Sequence, residues 1–105
     1  MTDLEMMKLC ADAMGLNVSP WGENNLEYRT WHGPDGNHPT LHIYNPLHDD
    51  AQAMALVKKI GLDIVRIDTF WTVGQGYTLD VGVDNADLNR AICECVAKME
   101  ESKSK

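Results

Sequence analysis

Long apolar runs are missing from this chain: no stretch approaches the roughly 20 residues that a bilayer-crossing helix needs. Basic residues are also scarce. Against 16 Asp and Glu there are 9 Lys and Arg, for a net charge of −7, and Lys98, Lys103 and Lys105 all fall in the last eight residues. The body ahead of that tail carries 6 basic and 14 acidic side chains. Such a surface repels phosphate backbones and anionic membranes, which argues against direct nucleic-acid binding. Cysteine occurs only at Cys10, Cys93 and Cys95, without CxxC spacing, so neither a disulfide framework nor a zinc motif is expected. Serine occurs only at Ser19, Ser102 and Ser104, none beside a histidine, which removes the serine nucleophile; the GQG at 74–76 is hairpin-turn chemistry and not a phosphate-binding loop. The opening MTDLEMMKLCADAMG is acidic and helix-patterned, without the basic n-region of an export signal, so a cytoplasmic location is expected.

What is present suits one domain over residues 1–105, with 100–105 as a frayed tail. Thr2 and Glu5 form a capping box, Leu4, Met7, Cys10, Ala11 and Met14 share one helical face, and Gly15 is the expected stop. Residues 16–25, with Pro20 and Gly22, read as loop. A strand over Leu26–Trp31, a GPDGN turn and a return strand over Thr40–Tyr44 follow. The second helix ends at Ile60 before Gly61, with Ala53, Met54, Val57 and Ile60 inward and Gln52 and Lys59 outward. Its start has two registers: Asn45 capping with Pro46 first, or a cap at His48 or Asp49. Asp63–Trp71 and Tyr77–Val83 read as a second hairpin. The third helix opens with Asp84 as cap and Asp87 at the third position, with Leu88, Ile92, Cys95, Val96 and Met99 on one face. Cys10 and Cys95 fall on apolar stripes as small core residues, Cys93 points elsewhere, and no cysteine has the setting of a nucleophile. The order α-ββ-α-ββ-α is of the α+β class, with a single sheet of about four strands and helices packed on it.

The segment GNHPTLHIYNPLHDD, at 36–50, gathers His38, His42 and His48 beside Asp49 and Asp50. In extended chain His38 and His42 lie about 13 Å apart, too far to share an ion. The aspartates suit the first turn of a helix. No metal and no cofactor are expected.

The second hairpin holds the candidate site. If Trp71 pairs with Tyr77, then Thr69, Ile67 and Val65 face Leu79, Val81 and Val83 on a buried side. The opposite side pairs Phe70 with Thr78, Asp68 with Asp80, and Arg66 with Gly82. Two aspartates face to face are unfavourable unless water, a cation or a base separates them. Arg66 can bridge Asp68 and Asp80 and offer a guanidinium to an anionic or nucleotide-like ligand, with Trp31 and Trp71 as walls; a solvated sheet face is the competing reading. The Asp68/Asp80 pair is also the only acid–base candidate, which is thin support for an enzyme.

The runs YNPLHDDAQAMALVKKIGL and NADLNRAICECVAKM resemble the phage ABA-sandwich domain family: an Asn-Pro-Leu-x-Asp-Asp start, an Ala- and Leu-rich helix ending Gly-Leu, two strands and a terminal Ala-rich helix. The resemblance covers about the last 60 residues. It implies a phage- or prophage-encoded three-layer α/β/α domain acting in the host cytoplasm, with no agreed catalytic residues. The expected function is a non-enzymatic binding protein whose target is a small anionic or nucleotide-like host metabolite held at Arg66 or, alternatively, a host protein bound through the acidic surface. A homo-oligomer is the expected state.

Overall fold

The computed structural model describes residues 1–74, 83–85 and 87–103. These form α1 (Asp3–Ala13), β1 (Ser19–Trp21), β2 (Asn25–His32), β3 (His38–Tyr44), α2 (Asp50–Ile60), β4 (Asp63–Ile67), β5 (Phe70–Gly74), β6 (Val83–Asn85) and α3 (Leu88–Lys103). The class is α+β, as expected.

The single sheet is not. Among the described residues the strands form two antiparallel three-stranded sheets, β1-β2-β3 and β4-β5-β6. The expected long strand over 63–71 is broken by a two-residue turn at Asp68 and Thr69, closed by the Ile67–Phe70 pair. Asp68 takes φ 53°, a left-handed conformation that aspartate tolerates better than most residues. An extra strand, β1, lies where loop was expected, and its Pro20 suits an edge position that needs no donor.

Local signals set the helix ends. The Thr2 hydroxyl accepts from the Glu5 N–H at 3.1 Å. At the other end Gly15, at φ 73°, lets the N–H groups of Gly15 and Leu16 reach the carbonyls of Asp12 and Ala11, at 3.1 and 2.9 Å, the Schellman closure. For α2 the later of the two starts is realised: Asn45 closes a turn by accepting from His48 and Asp49, and the Asp49 carboxylate caps the Gln52 N–H at 3.0 Å. Asp87, not Asp84, caps α3, accepting from the Arg90 N–H at 3.3 Å, because Asp84 is taken into β6.

The inward face of α2 also differs from expectation. Leu56 is wholly buried with Ala53, whereas Met54 is 40% exposed. The stripe that meets the core is centred on Ala53 and Leu56, with Val57 and Ile60 packed along it. In α3 burial extends beyond one face: Ala91, Ile92, Cys93, Cys95, Val96 and Ala97 are all buried, since α1, α2, β5 and β6 pack around this helix. Cys93 is therefore as buried as Cys95, and its carbonyl accepts from the Cys10 thiol at 3.5 Å. None of the three cysteines is joined in a disulfide.

Tyr44, at the inner end of β3, is buried, and its hydroxyl has no hydrogen-bond partner among the described residues. An unpaired buried hydroxyl is a cost, so Tyr44→Phe is expected to raise stability by about 1 kcal/mol, read as a higher urea midpoint at unchanged slope. A lower midpoint would show that the hydroxyl is bonded.

The described residues span 49 × 27 × 26 Å with a radius of gyration of 14.8 Å, against about 13 Å for a compact chain of this length. The β2–β3 hairpin accounts for the excess. Its inner pair, Leu26 and Tyr44, is buried, while the outer residues from Trp31 to Leu41 are exposed, so it projects from the core as an arm. Among the described residues no helix is long and apolar enough to cross a membrane.

Candidate functional site

Of the five residues expected to form an anion site, the structure brings together three. Arg66 and Trp71 are cross-strand neighbours in β4 and β5, and the guanidinium lies over the indole at 5.3 Å from the ring centre, a cation–π contact. Arg66 Nε also donates to the Asp68 carbonyl at 3.4 Å. Trp31 lies in the other sheet, and Asp80 lies outside the described residues, as do Tyr77, Thr78, Leu79, Val81 and Gly82. The expected register does not hold. Trp71 pairs with Arg66 on one side and Asn85 on the other, which leaves no place for Tyr77 opposite it. Asp68 sits in the turn, so it is not in a strand to be matched with Asp80. The turn also swaps the faces: Ile64 and Arg66 share a side with Trp71 and the buried Val73, while Val65 and Phe70 are about half exposed.

The histidines take a different arrangement from that of a metal site. In an antiparallel pair, residues directly opposite share a face. One face of the arm therefore carries Leu26, Tyr28, Thr30 and His32 against Tyr44, His42, Thr40 and His38. Tyr28 and His42 stack at 4.8 Å with 15° between the rings. The Thr30 hydroxyl stands between the Nε2 atoms of His32 and His42, at 3.0 and 2.8 Å, donating to one and accepting from the other. Among the described residues no three His, Cys, Asp or Glu side chains are grouped to hold an ion.

The other face of the arm is apolar and open. It carries Glu27, Arg29 and Trp31 from β2, Pro39, Leu41 and Ile43 from β3, and Ser19 and Trp21 from β1. Trp31 is 59% exposed and Trp21 45%, and Leu41 and Ile43 are each about two-fifths exposed. Arg29 and Glu27 stand next but one along the strand, 4.0 Å apart at their closest, with the arginine side chain largely in solvent. Because β1 is short, β2 outruns it, and a hollow of about 440 Å³ opens beyond its end, lined by Asn17, Ser19, Glu27, Tyr28, Arg29 and Trp31.

The free edge of β3 is blunted against strand addition. Pro39 has no N–H, so the Trp31–Pro39 pair cannot exchange two hydrogen bonds. Pro39, Leu41 and Ile43 must therefore turn their backbone groups away from β2. At the inner end the Gln52 side chain covers those groups: its Nε2 donates to the Ile43 carbonyl at 2.7 Å and its Oε1 accepts from the Asn45 N–H at 2.6 Å. At the outer end Pro39 offers no donor. Proline and a plugged carbonyl are the means by which edges avoid pairing, which leaves the face as the surface through which this sheet can be met.

Trp31 was expected as a wall of the Arg66 site, and LEYRTWH alternates, but Leu26 and Tyr28 on one side and Trp31 on the other gave the alternation two apolar sides. Compared with protein families, curated proteins and solved structures, the chain has no match.

Proposed function

We propose that this chain is a non-enzymatic protein-binding domain whose docking surface is the apolar face of β1, β2 and β3. The observation that carries the reading is a projecting arm that holds Trp31, Trp21, Leu41 and Ile43 in water on one side, around a single Arg29. Tryptophan and arginine are the residues that most often dominate binding energy at protein interfaces.

Sequestration of a small anion at Arg66 has weaker support. A small-molecule site buries most of its ligand, whereas Arg66, Asp68 and Phe70 are exposed on a hairpin. A hollow of about 390 Å³ at the start of α1, lined in part by Thr2, Asp3, Asn45 and His48, has these four polar groups engaged already. Thr2 caps the helix, Asp3 pairs with Arg90 at 2.9 Å, and Asn45 bonds both Asn25 and His48.

The test is a photo-crosslinking amino acid placed at position 31 or 43, with the exposed positions 8 and 101 as controls, in cells expressing the chain. Discrete protein adducts are expected at 31 and 43 and not at the controls. The same adducts at all four positions, or none at 31 and 43, would refute the docking surface.

A further inference from the structure

We infer that the occupant of this face is a second copy of the chain, packed face to face about a two-fold axis that runs across the strands at the level of Tyr28. The inference rests on the docking reading above and names its partner.

The register decides the geometry. A two-fold axis lying across the strands reverses the strand direction and keeps each strand over its own counterpart. Levels along β2 are then exchanged about Tyr28, so that Glu27 meets Arg29 of the other copy and Arg29 meets its Glu27. Ile43, level with Glu27, and Leu41, level with Arg29, are exchanged in the same way, so each isoleucine packs on the other copy's leucine. Trp21 is level with Asn25, and Asn25 and Trp31 lie at equal distances on either side of Tyr28. Trp21 of one copy is thereby carried to the place beside Trp31 where β1 has ended. That place is the hollow lined by Asn17, Ser19, Arg29 and Trp31.

Three sets of contacts made by this single operation are complementary, acid to base, aliphatic to aliphatic and indole into hollow, and Trp31 comes to lie over Asn25 of the other copy. An isologous interface requires this of a patch, since the same residues appear on both sides. Charge favours the same place. The chain carries −7 overall, so copies repel over most of their surface. This face holds one acid and one base, so repulsion is balanced locally on it. The two sheets would stack at about 10 Å, the usual spacing of packed sheets. Its exposed aromatic and aliphatic side chains, Trp21, Trp31, Leu41 and Ile43, make a small patch, in keeping with a reversible dimer.

Sedimentation velocity of the full chain, from about 1 to about 300 µM, tests this over the range of affinities such an area supports. The wild-type chain is expected to pass from monomer to dimer within that range. Glu27→Arg and Arg29→Glu singly place like charges across the axis and should each raise the dissociation constant at least tenfold. The double variant E27R/R29E restores opposite charges across the axis and should return to within about threefold of wild type. It restores the in-chain Glu27–Arg29 pair as well, so the deciding arm is an equimolar mixture of the two single variants: only their heterodimer has opposite charges across the axis while each chain keeps its like-charged pair. The mixture should associate at least tenfold more tightly than either variant alone, and a mixture no tighter than the single variants would overturn the inference. Trp21→Ala should weaken the dimer as strongly as Trp31→Ala. Arg29, Trp21 and Trp31 are exposed, while the Glu27 side chain is 17% exposed; an unchanged circular dichroism spectrum and melting temperature verify that each variant is folded. A wild-type chain that stays monomeric throughout, a dimer indifferent to Trp21→Ala, or a double variant no better than the single ones would overturn the inference. The crosslinker at position 31 separates the two readings. An adduct with twice the mass of the chain supports both, an adduct with a different protein by a monomeric chain leaves docking standing and refutes the dimer, and no adduct refutes both.

Discussion

Truncating Leu56 to alanine is expected to destabilise the protein by about 2 to 5 kcal/mol, the usual range for a fully buried leucine. Leu56 has no exposed surface and belongs to the cluster that joins α2 to Ile92 and Val96 of α3. Removing its isobutyl group loses the transfer energy of that group and leaves a cavity, because three helices meeting at one place cannot all move to close it. In a domain whose total stability is about 5 to 15 kcal/mol, this is a large share. The melting temperature should fall by roughly 10 °C or more. Met54, two residues earlier on the same helix, is 40% exposed, and Met54→Ala should cost under about 1 kcal/mol. The pair tests the orientation of α2: if the methionine variant proves the more damaging, the helix presents its other side to the core.

Raising the pH beyond about 9 is expected to weaken the fold steeply. Three buried acids keep their protons in the folded state. The Cys10 thiol is pushed up first by its hydrogen bond with the Cys93 side chain and then by burial. Burial raises Cys95, with Lys98 acting the other way, and burial raises the Tyr44 phenol. In the unfolded chain a thiol ionises near pH 8.5 and a phenol near 10. Below those values both states hold the same protons and stability is unaffected. Above them the unfolded chain releases protons that the folded chain retains, so unfolding is favoured as pH rises. Each such proton removes between 1 and 2 kcal/mol per pH unit, and Cys10 alone should account for about 2 to 3 kcal/mol by pH 10.5. Urea unfolding at pH 7, 9 and 10.5 measures this directly. Cys10→Ala should start from a lower stability at pH 7 but decline less steeply, and a wild-type stability flat to pH 10.5 would contradict the burial of these groups.

The sequence by itself determined the features whose partners lie within a few residues. Thr2 and Glu5 are three apart, and the closure at Gly15 spans five residues, so a reader of the chain has both ends of each bond in view. The same holds for the stop at Gly61, where φ is 79°, and for the two strands flanking GPDGN. The α+β class follows from these pieces. The turn at Asp68 was not legible, because it uses an aspartate where glycine or asparagine is the usual sign, and an unbroken apolar alternation runs through it. That one turn reassigned Arg66 from the far side of a hairpin to a cross-strand place on Trp71.

Only the tertiary structure decided which apolar residues are covered. Met54 and Leu56 are equally apolar in sequence, as are Tyr44 and Ile43, yet one of each pair is buried and the other stands in water. Gln52 read as a solvent-facing helix residue and instead seals the edge of β3, a contact between elements that nothing local announces. The reason is physical. A cap or a turn is a bond between near neighbours and is written in their identities, whereas burial is a relation to whatever element arrives on the other side. For α3 four elements arrive, and for the outer face of the β2–β3 arm none among the described residues covers Trp31, Leu41 and Ile43.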